Sequence, residues 1–473
     1  MKTTILAVFL LLSAASHICV AQGTTAVPSV YFGMHQNHYE PNHVFPMIPF
    51  GSFRMWDTGT QWYQIATCNP SSTHCNPETD WNWTNLNDLL SALHTNNVDN
   101  VVYTFLGVPS WANGCSTTDS TCDGFPSTSS CGNTWKWGCV LPPDINQDGS
   151  GTDATWIAFV TALAQHVKNN SGFAPIRYWD PWNEWDRDEL VKSGATAGET
   201  CYCTYAQMQR MTSDLRTAVQ SIDPTALVAT PSMAGPSYGV LKNFLYCNSN
   251  PISSCNTGDL GKNSIDIINS HAYINSGLPE NVIGIVSGYE AQLQSAEKAK
   301  PFWIDEGSWG KDSGFPDFDM QSAFVARLYL LGYTNGLSRW YWYSYDNCDS
   351  SQNGVGTLAC PAANEGLWWS GKAYGQVYRW MVGNSPHPCT TSGTVWTCGF
   401  TSPAGSPTLA VWDTSKSCSG STWDTHGTCT VSQYNYPLGY HFYFTLDDST
   451  PHPLPTTSVQ IGARPILLAT VSQ

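Results

Sequence analysis

Positive charge is scarce in this sequence. Its 473 residues hold 20 Lys and Arg against 36 Asp and Glu, a formal net charge of −16. A surface so poor in cations argues against nucleic acid and against strongly polyanionic substrates as partners. Beyond the amino-terminal leader no apolar run is long enough to span a bilayer, so no membrane association is expected. No glycine-rich phosphate turn follows the first strand candidate, which counts against a doubly wound dinucleotide fold. His and Cys do not fall at zinc-ligand spacing, and neither metal nor cofactor is expected. Tryptophan, in contrast, is abundant: 21 residues, too many for all to lie in a core. Exposed indoles on an acidic chain suit stacking against sugar rings.

The first residues read as an export signal. Lys2 precedes an apolar core from Ile5 to Leu12, small residues follow, and Cys19-Val20-Ala21 offers a cleavage site before Gln22. The mature chain is therefore expected to be secreted, and a monomer. Cleavage removes Cys19 and leaves an even number from the 17 cysteines. They form short-range couples: Cys68/Cys75, Cys115/Cys122, Cys131/Cys139, Cys247/Cys255, Cys348/Cys360, Cys389/Cys398 and Cys418/Cys429. In an exported protein these read as loop-clamping disulfides. Cys201 and Cys203 are too close for an unstrained mutual bridge, and each is free to pair elsewhere.

Strand-like and helix-like segments alternate through most of the chain. Strand candidates are Val30–His35, Pro49–Asp57, Asn100–Leu106, Ile176–Trp185, Ala226–Thr230, Ile265–Tyr273, Pro301–Glu306 and Ser338–Tyr345. Helical periodicity lies between them, as in Trp83–Asn97, Ala154–Lys168, Tyr205–Ile222, Val282–Ala299 and Gln321–Asn335. Eight such repeats predict a parallel (β/α)8 TIM barrel over residues 22–383, after a signal peptide of residues 1–21. From residue 384 to 473 the helical pattern gives way to short alternating strands, which predicts a small, sandwich-like all-β domain.

In such a barrel the working residues sit at the carboxyl ends of the strands. Those positions hold His35, Arg54, Trp56, Asp57, Trp111, Asn183, Glu184, His271, Tyr273, Glu306, Trp340 and Trp342. Glu184 ends the fourth strand among Trp179, Trp182 and Trp185, and Glu306 ends the seventh. Two glutamates at two strand ends are what retaining glycoside hydrolysis requires. A strand-end Glu taken alone is as often a solvated loop charge. The pair is far more specific.

With Trp182-Asn183-Glu184, His271-Ala272-Tyr273, Asp305-Glu306-Gly307, Phe53-Arg54 and Trp340, the sequence resembles the retaining glycoside hydrolases of clan A, family 39 in particular. The resemblance covers most of the barrel, and together with the export signal and the scarcity of positive charge it leads to the expectation of a secreted retaining hydrolase of neutral, mainly β-linked glycans. Chemistry and resemblance together give the expected roles. Glu184 is the acid/base, Glu306 the nucleophile, Asn183 the 2-hydroxyl contact, and Arg54 the cation beside Glu306. Tyr273 is expected to bond to Glu306, and His271 to orient Glu184 or the sugar. Trp340 is the expected sugar floor, with Trp111, Trp56, Trp185 and Trp309 as further substrate-binding aromatics. Where the family has Pro after Asn-Glu, this chain has Trp185, which weakens any transfer of β-xylosidase specificity.

Bland readings stand beside these. Arg54 has an alternative as an ion pair with Asp57, and Asp305 is expected to face away from the site. Asp186, Asp188 and Glu189 read as a solvated helix start. An inverting hydrolase, a transglycosylase and an inactive carbohydrate-binding barrel are the rival functions. Asp144–Asp153 resembles the start of a calcium loop, but its twelfth position is Thr155 and no helix precedes it. A turn with a helix cap is the better reading.

Overall fold

The computed structural model describes residues 25–37, 39, 44–113, 141–186, 203–247, 255–274, 278–310, 317–348 and 355–472. The export signal, Cys115, Cys122, Cys131, Cys139, Cys201, Asp188 and Glu189 lie outside the described residues.

Eight parallel strands form the centre: β1 (Phe32–Met34), β2 (Ser52–Met55), β3 (Val101–Thr104), β4 (Ile176–Asp180), β5 (Leu227–Val228), β6 (Ile268–His271), β7 (Phe302–Gly307) and β8 (Leu337–Trp342). From β1 to β5 and from β6 to β8 each strand pairs with the next, and β1 pairs with β8. The two ends of this sheet, β5 and β6, meet through a parallel bridge between Ala229 and Ile267. The sheet thus curls on itself in a TIM-barrel-like fold.

Strand alternation explains both layers of the core. Val102, Ala229, Ile267, Trp303 and Tyr341 fill the barrel interior with Tyr178. There Arg339 stacks on the rings of Tyr178 and Trp303, at 4.2 and 4.3 Å, and donates to the Tyr341 hydroxyl. The alternate residues, among them Tyr103, Trp179, Ile304, Trp340 and Trp342, face the surrounding helices. Helix Thr84–Thr95 shows the matching pattern, burying Leu86, Leu89, Leu90 and Leu93. Helix Tyr205–Ile222 starts at a reciprocal capping box between Thr204 and Gln207.

One expected helix is broken. Val282–Ala299 divides into Val282–Glu290 and Ser295–Lys298. In the gap the Gln294 amide donates to the Tyr246 hydroxyl at 3.0 Å instead of to a helical carbonyl. The loop with the calcium-like spacing is a turn whose first carboxylate caps a helix. Asp144 Oδ2 accepts from the Thr155 amide at 2.8 Å and from its hydroxyl at 3.0 Å, at the start of helix Ala154–Asn169.

From Ser385 onward the chain forms antiparallel strands. Their main sheet has two buried faces. Val411 and Leu468 pack against Val459 and Ile461 of the small Ser432–Tyr434/Val459–Ile461 ladder. Phe400, Ala410, Trp412 and Leu467 belong to the same core as the barrel helices. Trp412 Nε1 donates to Glu280 Oε1 at 3.1 Å, and Glu280 also receives Arg327 Nε at 2.7 Å. Near the other terminus Val27 bridges to Val382, and its amide donates to the Asn384 carbonyl at 2.9 Å.

Five of the expected cysteine couples are disulfides: Cys68–Cys75, Cys247–Cys255, Cys348–Cys360, Cys389–Cys398 and Cys418–Cys429. Cys203 is disulfide-bonded as well.

Candidate active site

Glu184 follows β4 in a left-handed backbone conformation, φ 50°. The turn that presents it is built on Asp180, the last residue of β4. Asp180 Oδ1 accepts from the amides of Trp182 (3.3 Å) and Ser232 (3.1 Å), and Oδ2 accepts from the Thr104 hydroxyl at 3.0 Å. Glu306 comes from β7, whose register shifts against both β6 and β8 around Asp305. An extra residue in a strand lets two consecutive side chains reach one side. Asp305 accordingly faces the barrel interior beside Glu306, which corrects the expectation that it points away.

Arg54, on β2, is the hub. Its guanidinium is fully buried and lies 2.9 Å from Glu306 Oε2, 3.2 Å from Asp180 Oδ2 and 3.0 Å from Asp305 Oδ2. It also donates to Asn183 Oδ1 at 2.9 Å and Ser232 Oγ at 3.1 Å. Burial opposes its charge, but Asp305, Asp180 and Glu306 more than offset this and hold it above the ordinary arginine range. Asp305 is pushed well up, by burial first and then by Asp180 and Glu306, against the pull of Arg54. His35, at the end of β1, is driven well below the usual histidine range by burial and by Arg54. Its Nε2 lies 3.0 Å from the Asp305 carbonyl oxygen. Asp57, the alternative partner expected for Arg54, accepts instead from the Tyr343 hydroxyl at 3.1 Å.

The two glutamates meet at His271. Its Nδ1 is 3.0 Å from Glu184 Oε1 and 3.7 Å from Glu306 Oε1. One ligand-type atom from each of Glu184, His271 and Glu306 lies within 4.8 Å of the other two. Tyr273 donates to Glu306 Oε1 at 2.6 Å. Each oxygen of Glu306 therefore has its own donor, Tyr273 on one and Arg54 on the other.

The expected aromatic platforms divide. Trp56 and Trp111 are half-buried, and Trp111 Nε1 is held by the Ala66 carbonyl at 2.7 Å. Trp340, Trp185 and Trp309 are 0, 1 and 2 % exposed, so none has a face open to a sugar. Trp340 points into the helix layer and donates to the Gly307 carbonyl at 3.0 Å. The error is one of strand parity: inward positions on β8 are Arg339 and Tyr341, and Tyr343 continues that side. Tyr343 contacts His35 edge-on at 5.3 Å and lies 6.3 Å from the Tyr273 ring. Sequence reading also missed Asp180 and Ser232. Counting alternate residues back from Asn183 would not find Asp180, but counting inward from Tyr178 does.

The TIM-barrel-like fold is shared with solved glycoside hydrolases at low sequence identity. No family model matches the sequence, and no curated protein matches it. Solved structures match in fold. A family 39 glycoside hydrolase from Bacteroides cellulosilyticus WH2 has a TM-score of 0.61 at 14% identity, over 93% of this chain and 81% of that one. A glucosidase from Croceicoccus marinus has a TM-score of 0.57 at 13% identity, over 95% and 97%. A family 44 endoglucanase from Clostridium thermocellum has 0.54 at 10%, over 95% and 98%.

Proposed function

We propose that this protein is a secreted glycoside hydrolase that cleaves β-linked neutral glycans with retention of anomeric configuration. The observation that carries the reading is the approach of Glu184 and Glu306 to within 4.8 Å, oxygen to oxygen. Retaining enzymes hold their carboxyl groups about 5–5.5 Å apart, while inverting ones need roughly 6.5–9.5 Å to admit a water. The fold neighbours named as glycosidases support the same class. Disulfides throughout the chain suit an exported protein.

Glu306 attacks the anomeric carbon while Glu184 gives its proton to the departing glycosidic oxygen. The sugar is then bound to Glu306 as an ester. Glu184, now a base, takes a proton from water, which attacks the same carbon and releases Glu306. Tyr273 and Arg54 fix the attacking carboxylate, and His271 fixes Glu184 against it. The low Lys and Arg content favours uncharged substrates.

The test is hydrolysis of a panel of aryl β-glycosides and polysaccharides by wild type and Glu306→Ala, with the anomer of the first product read by NMR. Release by wild type alone, with the β-anomer formed first, supports the reading. An α-anomer first would make the enzyme inverting. Equal release by both proteins would remove Glu306 from the mechanism. Glycan binding without turnover would favour the inactive barrel.

A further inference from the structure

The mouth of the barrel has two polar arcs around Glu306. Glu184, His271 and Tyr273 come from the ends of β4 and β6. Across from them, at the ends of β1, β2 and β8, stand Asn37, Asp57 and Tyr343. These three are joined in a chain. Asn37 Nδ2 donates to the Tyr343 hydroxyl at 2.7 Å, and that hydroxyl donates to Asp57 Oδ2 at 3.1 Å.

The chain is incomplete in one respect. Asp57 Oδ1 and Asn37 Oδ1 are shielded from solvent, yet have no hydrogen-bond partner among the described residues. Shielded polar atoms left unpaired cost stability, and a native protein keeps few of them. Two acceptors on one rim match a sugar hydroxyl, which can donate a hydrogen bond to either. Burial and the charge of Glu306 push Asp57 up to about 7, so it lies within the field of the nucleophile.

We propose that Asp57, held by Tyr343 and Asn37, reads a ring hydroxyl of the sugar that becomes attached to Glu306. The inference rests on the glycosidase reading above and names the specificity-determining group of that site. Geometry gives the direction: the proton donor Glu184 stands over the leaving oxygen, so the retained sugar turns its hydroxyls toward the opposite arc. Asp57 Oδ1 then accepts from one hydroxyl, while Tyr343 and Asn37 hold the carboxylate in place.

The test uses an aryl β-glycoside that wild type hydrolyses, together with analogues lacking one ring hydroxyl at a time. Asp57→Ala should lower kcat/KM on the parent by roughly ten- to a hundredfold, the effect of losing a charge-assisted hydrogen bond. One deoxy analogue should show the same loss with wild type and no further loss with Asp57→Ala, as coupled partners do. Fully multiplicative losses for every analogue, or unchanged kinetics of Asp57→Ala, overturn the proposal. Should Asp57→Ala fail to fold, Asp57→Asn keeps the shape and is put through the same cycle. Labelling of wild-type Glu306 by 2-deoxy-2-fluoro glycosides separates the two readings. No labelling and no hydrolysis sinks the glycosidase and this proposal with it, while labelling with multiplicative losses sinks this proposal alone.

Discussion

Tyr273 and Glu306 share a hydrogen bond of 2.6 Å, with the phenol donating to the oxygen that also faces His271. Burial and the adjacent carboxylate hold the phenol well above its ordinary 10.0, so it remains a donor at every pH of practical assay. Tyr273→Phe should lower kcat roughly ten- to a hundredfold and leave KM within a few-fold. No inflection from Tyr273 should appear on the alkaline side of the wild-type profile. A Tyr273→Phe enzyme with full kcat would mean that the bond does not outlast substrate binding.

Arg54 answers for three carboxylates. Arg54→Met should destabilise the fold by about 3–5 kcal/mol, since it leaves buried charge without a counter-ion. Arg54→Lys should recover part of that stability but little activity, because an ammonium cannot present a planar fork to Asp305 and Glu306 together. Urea unfolding and kcat/KM measured side by side distinguish the two losses.

Trp340 is a core residue, and its variants should behave accordingly. Trp340→Phe removes the bond to the Gly307 carbonyl and opens space in the helix layer, for a loss of roughly 1–3 kcal/mol. The KM of the folded fraction should change little. A large rise in KM with normal stability would restore Trp340 as a sugar platform.

Asp153 offers a pH test independent of catalysis. It is fully buried beside a second carboxyl group, that of Asp214. Burial, Asp214 and Asp144 raise it from 3.8 to about 9, with Arg210 pulling the other way. Between those values the folded protein holds a proton that the unfolded chain has released. This group therefore makes stability fall as pH rises across that window. Asp153→Asn should flatten the slope of Tm against pH and raise Tm most near pH 9. A parallel pair of Tm curves would show that Asp153 is not the group responsible.

Glu280 ties the barrel to the β domain through Arg327 and Trp412. Glu280→Ala strands the buried Arg327 and should cost about 3–5 kcal/mol, whereas Trp412→Phe should cost about 1. Calorimetry of wild type should give one transition for the whole chain. Two separate transitions would mean that this interface does not couple the halves.

The placing of Glu184 and Glu306 at the ends of β4 and β7 was legible because carboxylates there interrupt apolar, aromatic runs. Five disulfide couples among the described residues were legible from spacing alone. Facing was harder. From Arg339 to Tyr345 every residue is polar or aromatic, so period-two alternation carries no signal, and Trp340 was assigned to the wrong side. Asp305 was misdirected for another reason: an extra residue in a strand changes parity without changing composition. The break in the helix after Val282 depends on the distant Tyr246, which local periodicity cannot reveal.

The bridge between Val27 and Val382, and the pairing of β1 with β8, join segments far apart along the chain. The first strand emerges long before β8 exists. Its apolar residues Phe32 and Met34 must wait, half paired to β2, until nearly the whole barrel has been produced. Completion of the ring is therefore a late, single event that depends on the last barrel helix and the junction beyond it. A chain interrupted before that junction leaves an open sheet edge, a template for pairing with another unfinished copy.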